Sequence, residues 1–177
     1  MKIYGSGKGH EELRSGLNLV PEHHFKMLGD VSFVSIDRIP PIGSKNTAPA
    51  GRYSPGQGPN DPSTIRVADF VKTGGEIRKV KDKVGVLFHE IGHALDDRVG
   101  LSNKLGQTLH ADASKMRPED NYLAKYWLQN NRELLAEVYK VAYSPSKKGG
   151  FNMGQKKAEK LFARSIAALR EALDEHK

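Results

Sequence analysis

The segment His89-Glu90-Ile91-Gly92-His93 combines two residues that can bind a metal ion with one that can move a proton. Histidines four positions apart on a helix lie one turn apart on the same face, so both imidazoles can bind one ion. The carboxylate of Glu90 stands beside the first histidine, where it can act as a general base on water at that ion. The segment therefore predicts a hydrolytic zinc site with His89 and His93 as two of its ligands.

A catalytic zinc site usually has three protein ligands, so a third must come from elsewhere in the chain. Asp96 and Asp97 lie on the same predicted helix, and one rigid helix cannot easily place three ligands around a tetrahedral ion. We expect Asp97 instead to orient an imidazole or to hold the adjacent helix. Glu133 and Glu137 are four positions apart in a later helical segment and share one face, so a carboxylate can arrive from a second helix. Glu133 could alternatively complete a capping box with Asn130.

Two sequence blocks together resemble a known family. The first is His89-Glu90-Ile91-Gly92-His93-Ala94-Leu95-Asp96-Asp97, and the second is Glu133-Leu134-Leu135-Ala136-Glu137-Val138-Tyr139, with Tyr126 seven residues before Glu133. This arrangement resembles the protease domain of anthrax lethal factor and the related Pro-Pro endopeptidases. The match covers roughly residues 80 to 145, whereas the first 75 residues show no recognisable match.

The resemblance implies a zincin-like metalloprotease of the gluzincin type. It implies that Zn²⁺ is bound by His89, His93 and Glu133, that Glu90 is the general base, and that Tyr126 donates a hydroxyl near the metal. Glu137 would then support the site or pack the helix. The substrate implied is a polypeptide, and the location implied is secreted.

Hydrophobic periodicity predicts the elements that position these residues. Alternation and β-branched residues predict strands at 31–37, 51–53 and 64–68, with loop over the rest of 40–63 and a turn at Gly74-Gly75. A period of 3.6 predicts helices at 20–28, 78–99, 119–128, 131–143 and 154–175, and a polar connection over 101–117. The apolar stripe of the helix at 78–99 begins with Ile77, and Gly100 is expected to end this helix.

These elements predict an α+β fold. We expect one metallopeptidase domain over residues 1–177, with a small mixed-sheet lobe in 1–75, a mainly helical lobe in 76–177, and the metal-binding helix at their junction. A substrate bound as an added strand would use an exposed sheet edge, supplied by either 51–54 or 65–68.

Composition excludes some chemistries and partners. The 177-residue chain has no cysteine, which excludes disulfides, thiol catalysis and cysteine-bound zinc. Its net charge of +7 is spread along the chain and mixed with acids, so a nucleic-acid partner is not predicted. No apolar run approaches the roughly 20 residues of a membrane-spanning helix, so membrane insertion is not predicted. The oligomeric state stays open.

His23 and His24 are adjacent and cannot easily share one ion, so we expect them at the surface.

The alternative function is a catalytically silent binding module that a metal stabilises. Retention of Glu90 and Tyr126 favours the enzyme, because a structural metal site needs neither a base nor an open coordination position.

Overall fold

The structure is a computed structural model that describes residues 2–41, 48–58, 61–116, 130–146 and 153–176. The described strands are β1 (Lys2–Tyr4), β2 (Val31–Ile36), β3 (Gly51–Ser54), β4 (Ser63–Ala68), β5 (Phe70–Thr73) and β6 (Glu76–Lys79). The described helices are α1 (Gly7–Leu17), α2 (Glu22–Leu28), α3 (Lys83–Val99), α4 (Leu101–Ala113), α5 (Asn131–Tyr143), α6 (Gln155–Leu161) and α7 (Ala163–Asp174).

Four strands form a small mixed sheet in the order β1-β2-β4-β3. β1 and β4 both run parallel to β2, whereas β3 runs antiparallel to β4. β4 is therefore an interior strand and β3 an edge strand. Of the two segments that could have supplied an edge, only residues 51–54 do so.

One face of this sheet packs on α3. Phe33 of β2 and Ile65 of β4 are buried in the same hydrophobic cluster as Leu87, Phe88 and Ile91 of α3. Alternate strand residues point to opposite faces of a sheet. The side chains of β3 and β4 that share a face with Phe33 and Ile65 therefore point toward the helices. The confirmed fold class is α+β with a small mixed sheet.

The ends of α3 are set by local chemistry. The side chain of Asp82 accepts a hydrogen bond from the backbone N–H of Gly85 at 2.9 Å and caps the first turn. Gly100 ends the helix with φ at 66°, a left-handed conformation that glycine adopts without steric cost, and its N–H bonds to the carbonyl of Asp96. The predicted end is confirmed, but the helix begins at Lys83 rather than near 78.

The close packing of α5 on α3 depends on Gly92. A Cβ atom at this position would lie 2.8 Å from the Cα of Ala136 and 3.2 Å from the Cβ of Tyr139. The two helices can therefore approach closely at the turn that carries the histidines.

Several predicted elements are confirmed and others are wrong. The strands at 31–37, 51–53 and 64–68 and the helices at 20–28 and 131–143 are confirmed to within two residues at their ends. The helix predicted at 119–128 lies outside the described residues. Ile77 does not belong to α3: it lies in β6, half exposed, where β5 and β6 form a hairpin around Gly74-Gly75.

The prediction of a polar connection over 101–117 is wrong, because α4 occupies most of it. The buried residues of α4 include Gly106 and Asp112, which weaken the apolar period that would have revealed the helix. The helix predicted at 154–175 is two helices, since Phe162 leaves the helical conformation and is fully buried between them. The first 20 residues also contain α1, which the sequence did not reveal.

Among the described helices, none combines the length and the apolar character that crossing a bilayer requires.

Candidate metal centre

The described part of the chain brings three predicted ligands together. His89 and His93 project from one face of α3, and their Nε2 atoms are 3.1 Å apart. A carboxylate oxygen of Glu133, on α5, lies 3.4 Å from Nε2 of His89, and its other oxygen lies 3.5 Å from Nε2 of His93. All three side chains are mostly buried, so the cluster lies at the floor of a cleft.

This spacing matches the needs of one small cation. Three ligand atoms held about 2.0–2.1 Å from a tetrahedral ion lie about 3.3 Å from one another. The two imidazole Nε2 atoms are 3.1 Å apart, and each lies 3.4 or 3.5 Å from a different carboxylate oxygen of Glu133. These three residues could therefore hold a metal ion, with one ligand atom from each within 4.8 Å of the others.

The first turn of α5 explains why Glu133 is free to face the histidines. The side chain of Asn130 accepts hydrogen bonds from the backbone N–H groups of Arg132 and Glu133, at 3.1 and 3.4 Å. Asn130 thus caps the helix as its sequence suggests. The carboxylate of Glu133 points toward the imidazoles, so the helix keeps its cap while this side chain faces both histidines.

Glu137, one turn later on α5, orients His89. Its carboxylate lies 3.0 Å from Nδ1 of His89 and 3.6 Å from Nζ of Lys140. A carboxylate in this place accepts the Nδ1 proton and leaves the Nε2 lone pair available to a metal. Glu137 is therefore placed to orient the ring of His89.

Electrostatics link these groups closely. Burial lowers the pKa of His89, but the hydrogen bonds to Glu133 and Glu137 outweigh it and raise that pKa to about 10. Burial raises the pKa of Glu133, yet its hydrogen bonds to His89 and His93 prevail and hold the pKa well below its usual range. A metal ion that binds here must displace the proton of His89.

Glu90 is buried beside the cluster, and β3 holds it. One carboxylate oxygen accepts a hydrogen bond from the backbone N–H of Tyr53 at 2.6 Å. Its burial raises the pKa of Glu90, and the neighbouring histidines and this N–H partly offset the effect. A Cβ on Gly51 would lie 2.5 Å from the other carboxylate oxygen, so only glycine lets the strand approach this closely. The sequence did not reveal that β3 contacts the predicted base.

The two aspartates that follow His93 do not join the cluster. Asp97 accepts a hydrogen bond from the hydroxyl of Tyr53 at 2.9 Å and lies 3.6 Å from Arg132 of α5. Asp96 lies 3.2 Å from Arg132 and accepts the backbone N–H of Ser102. Asp97 therefore holds neighbouring elements, which was one of its two predicted roles.

Two other predicted positions have different outcomes. Tyr126 lies outside the described residues, so its role stays a prediction. The surface location predicted for His24 is wrong: its side chain is fully buried and its Nδ1 lies 2.9 Å from the hydroxyl of Tyr139. Adjacent helix residues face different directions, and His24 is the one directed into the core.

A cleft of about 650 Å³ gives access to the cluster. Its walls come from β3, α3 and α5, and His89, Glu90, His93 and Glu133 line it. The cleft is large enough for several residues of a peptide.

A comparison of the chain with protein-family models, curated proteins and solved structures finds no match in any of the three. The family resemblance therefore rests on the motif residues and their spacing.

Proposed function

We propose that this protein is a zinc-dependent endopeptidase with a zincin-like fold, in which His89, His93 and Glu133 bind the metal. The observation that carries the proposal is the convergence of two imidazoles and one carboxylate from two helices: the Nε2 atoms are 3.1 Å apart, and each lies 3.4 or 3.5 Å from an oxygen of Glu133. A buried carboxylate, Glu90, lies beside them at the floor of an open cleft.

The donor set favours zinc. Two imidazoles and one carboxylate form the three-ligand set typical of catalytic zinc, which leaves a fourth position for water or substrate. Harder cations such as Mg²⁺ and Ca²⁺ prefer oxygen ligands, and thiolate-bound metals need cysteine, which this chain lacks. When bound, the ion supplies a Lewis acid and lowers the pKa of a water ligand to about 7.

Glu90 provides the proton transfer. Burial raises the pKa of Glu90, which makes this carboxylate a better proton acceptor. It can take a proton from the attacking water and later give it to the leaving nitrogen of the peptide bond. The N–H of Tyr53 fixes one carboxylate oxygen, so the base is oriented before substrate arrives. Tyr126 keeps the hydroxyl-donor role that the family resemblance implies.

A polypeptide is the substrate class that the cleft favours. β3 lines the cleft as an edge strand, and an extended peptide could pair with the side of β3 that no described strand occupies. Main-chain pairing binds a peptide without selecting its sequence, so the side-chain contacts must provide specificity. The secreted location stays a prediction of the resemblance.

The test measures bound zinc and peptide cleavage in matched variants. Purified wild type should hold one zinc ion per chain and cleave members of a mixed peptide library. Glu90→Gln keeps the shape of the side chain, so it should retain zinc while cleavage falls by about 10²- to 10⁴-fold. Glu133→Gln should lose zinc, and Glu171→Gln, on the exposed face of α7, should match wild type.

The possible outcomes separate the proposed enzyme from its alternative. Undiminished cleavage by Glu90→Gln with zinc bound would show that Glu90 is not the base. Zinc binding by wild type without cleavage of any library peptide would favour the silent, metal-stabilised binding module. Full zinc content in Glu133→Gln would remove Glu133 from the ligand set.

A further inference from the structure

Arg52 stands in the middle of β3, on the face of the strand that points away from α3. Its neighbours Gly51 and Tyr53 face α3, because a Cβ on Gly51 would meet Glu90 and the hydroxyl of Tyr53 bonds to Asp97. Successive strand residues alternate between faces, so Arg52 is directed to the other side. Arg52 nevertheless lines the cleft, because β3 forms one wall of the cleft.

A second arginine lies directly across the sheet. Arg66 of β4 is the register partner of Arg52, so the two side chains share one face. Like charges placed directly opposite each other on neighbouring strands repel and destabilise the pair. The protein therefore keeps two cations together at a cost in stability.

Within the described part of the chain, neither arginine has a carboxylate partner. Arg52 donates from Nη2 to the carbonyl of Pro40 at 2.8 Å, and Arg66 donates from Nη1 to the hydroxyl of Ser54 at 3.3 Å. Nε of Arg52 is buried and has no hydrogen-bond partner among the described residues. This face thus carries two positive charges, and the Nε–H of Arg52 is a hydrogen-bond donor without an acceptor among the described residues.

The other cations that line the cleft are already paired. Arg132 lies 3.2 Å from Asp96, and Lys140 lies 3.6 Å from Glu137. Arg52 is therefore the cleft cation, among the described residues, whose charge is not offset by an acid.

A peptide added to β3 would bring side chains next to Arg52. The carbonyl of Ala50 accepts the N–H of Ala68 in β4, so the backbone groups of residues 50, 52 and 54 point toward β4. Those of residues 51 and 53 point to the free edge, where the N–H of Tyr53 already bonds Glu90. Every second side chain of a paired peptide would lie on the same face as Arg52.

We propose that Arg52, with Arg66 behind it, binds a carboxylate of the polypeptide substrate and makes the cleft selective for acidic peptides. The inference rests on the proposed function and specifies its substrate class. Because Gly51 and Tyr53 both contact Glu90, the carboxylate lies within about two residues of the scissile bond. An internal Asp or Glu side chain and a C-terminal carboxylate offer the same chemistry to an arginine fork.

The test uses peptides that differ by one carboxylate. A fluorescently labelled, C-terminally amidated eight-residue peptide of Ala and Ser carries a single Glu at each position in turn, with matched Gln peptides. A further peptide carries only a free C-terminal carboxylate. Anisotropy measures the binding of each peptide to the zinc-loaded protein, and mass spectrometry measures its cleavage.

Wild type should bind Glu at one position about 10-fold or more tightly than Gln at that position. Arg52→Gln should abolish this difference, Arg52→Lys should retain part of it, and zinc content should stay unchanged in both. Arg78→Gln is the control: it removes one positive charge from exposed β6, where Arg78 pairs with Glu76, and should keep the full preference.

Equal binding of Glu and Gln peptides by wild type, or a preference that survives Arg52→Gln, would overturn the inference. A preference for the free C-terminus alone would assign the site to terminal rather than internal carboxylates. Binding preference without any cleavage would support the carboxylate site while the proposed enzyme fails. Cleavage without a preference for Glu over Gln would support the proposed enzyme and overturn the carboxylate site.

Discussion

The carboxylate of Glu137, one helix turn beyond Glu133, lies 3.0 Å from Nδ1 of His89. α5 thus presents one carboxylate, Glu133, to the Nε2 atoms of both histidines and a second, Glu137, to Nδ1 of His89. Such a pair of carboxylates ties metal affinity to the packing of two helices.

Replacing Glu137 by Gln should weaken zinc binding by about 10- to 100-fold, because an amide cannot favour the Nδ1–H tautomer of His89 as a carboxylate does. Competition with a chromophoric zinc chelator measures the affinity. Glu133→Gln should weaken binding more, since it removes a ligand. An unchanged affinity in Glu137→Gln would mean that His89 does not need this orientation.

The stability of chelator-treated protein should depend on pH through His89. Its folded-state pKa of about 10 lies above its usual value of 6.5, so the protonated form stabilises the fold. The contribution is fully present below pH 6.5, declines as the pH rises, and is lost above about 10. The free energy of unfolding in urea, measured from pH 6 to 10 with chelator present, should fall over this range.

At the acid end Glu133 acts with the opposite sign. Its pKa is lowered in the folded protein, so its contribution to stability is present above the usual value of 4.5 and is lost as the pH falls through the lower folded value.

The variant His89→Gln is the control for the effect of His89: its free energy of unfolding should decline less between pH 6.5 and 10. An equally steep decline in this variant would assign the effect to other groups.

Replacing Gly92 by Ala should lower the free energy of unfolding by about 1–3 kcal/mol, because the added methyl group overlaps the backbone of Ala136. Separation of α3 from α5 would also move Glu133 away from the histidines and weaken zinc binding. Urea denaturation and zinc titration measure the two effects. Gly154→Ala is the control, since a Cβ there would have no neighbour within 4 Å among the described residues and φ is −64°.

The buried contact between His24 and Tyr139 should contribute to stability independently of zinc. His24→Leu leaves the hydroxyl of Tyr139 without this partner and should cost about 1–3 kcal/mol. The double variant with Tyr139→Phe should cost less than the sum of the two single changes, because both polar groups are then removed. Strict additivity in urea denaturation would show that the contact carries no coupling energy.

The elements that local sequence determines were largely predictable. The i, i+4 histidines, the cap at Asn130 and the left-handed glycine at 100 all act within one or two helix turns, so their geometry follows from the helix itself. α4 was not predicted, because its buried face contains polar residues and a glycine that weaken the apolar period. The division between α6 and α7 was not predicted, because Phe162 is apolar and fits a continuous helical pattern although the helix breaks there.

By itself the sequence determined that two histidines share a helix face with a glutamate beside the first of them, and it limited the candidates for a third ligand to a few carboxylates. Only the tertiary structure decided which of these carboxylates lies beside the two histidines. The crossing of α5 at Gly92 puts Glu133 beside both imidazoles and Glu137 behind one of them. The pairing of β3 with β4 likewise places Tyr53 against Glu90 and Arg52 beside Arg66. These contacts join residues far apart in the chain, and no local period encodes them, because they depend on how whole elements pack.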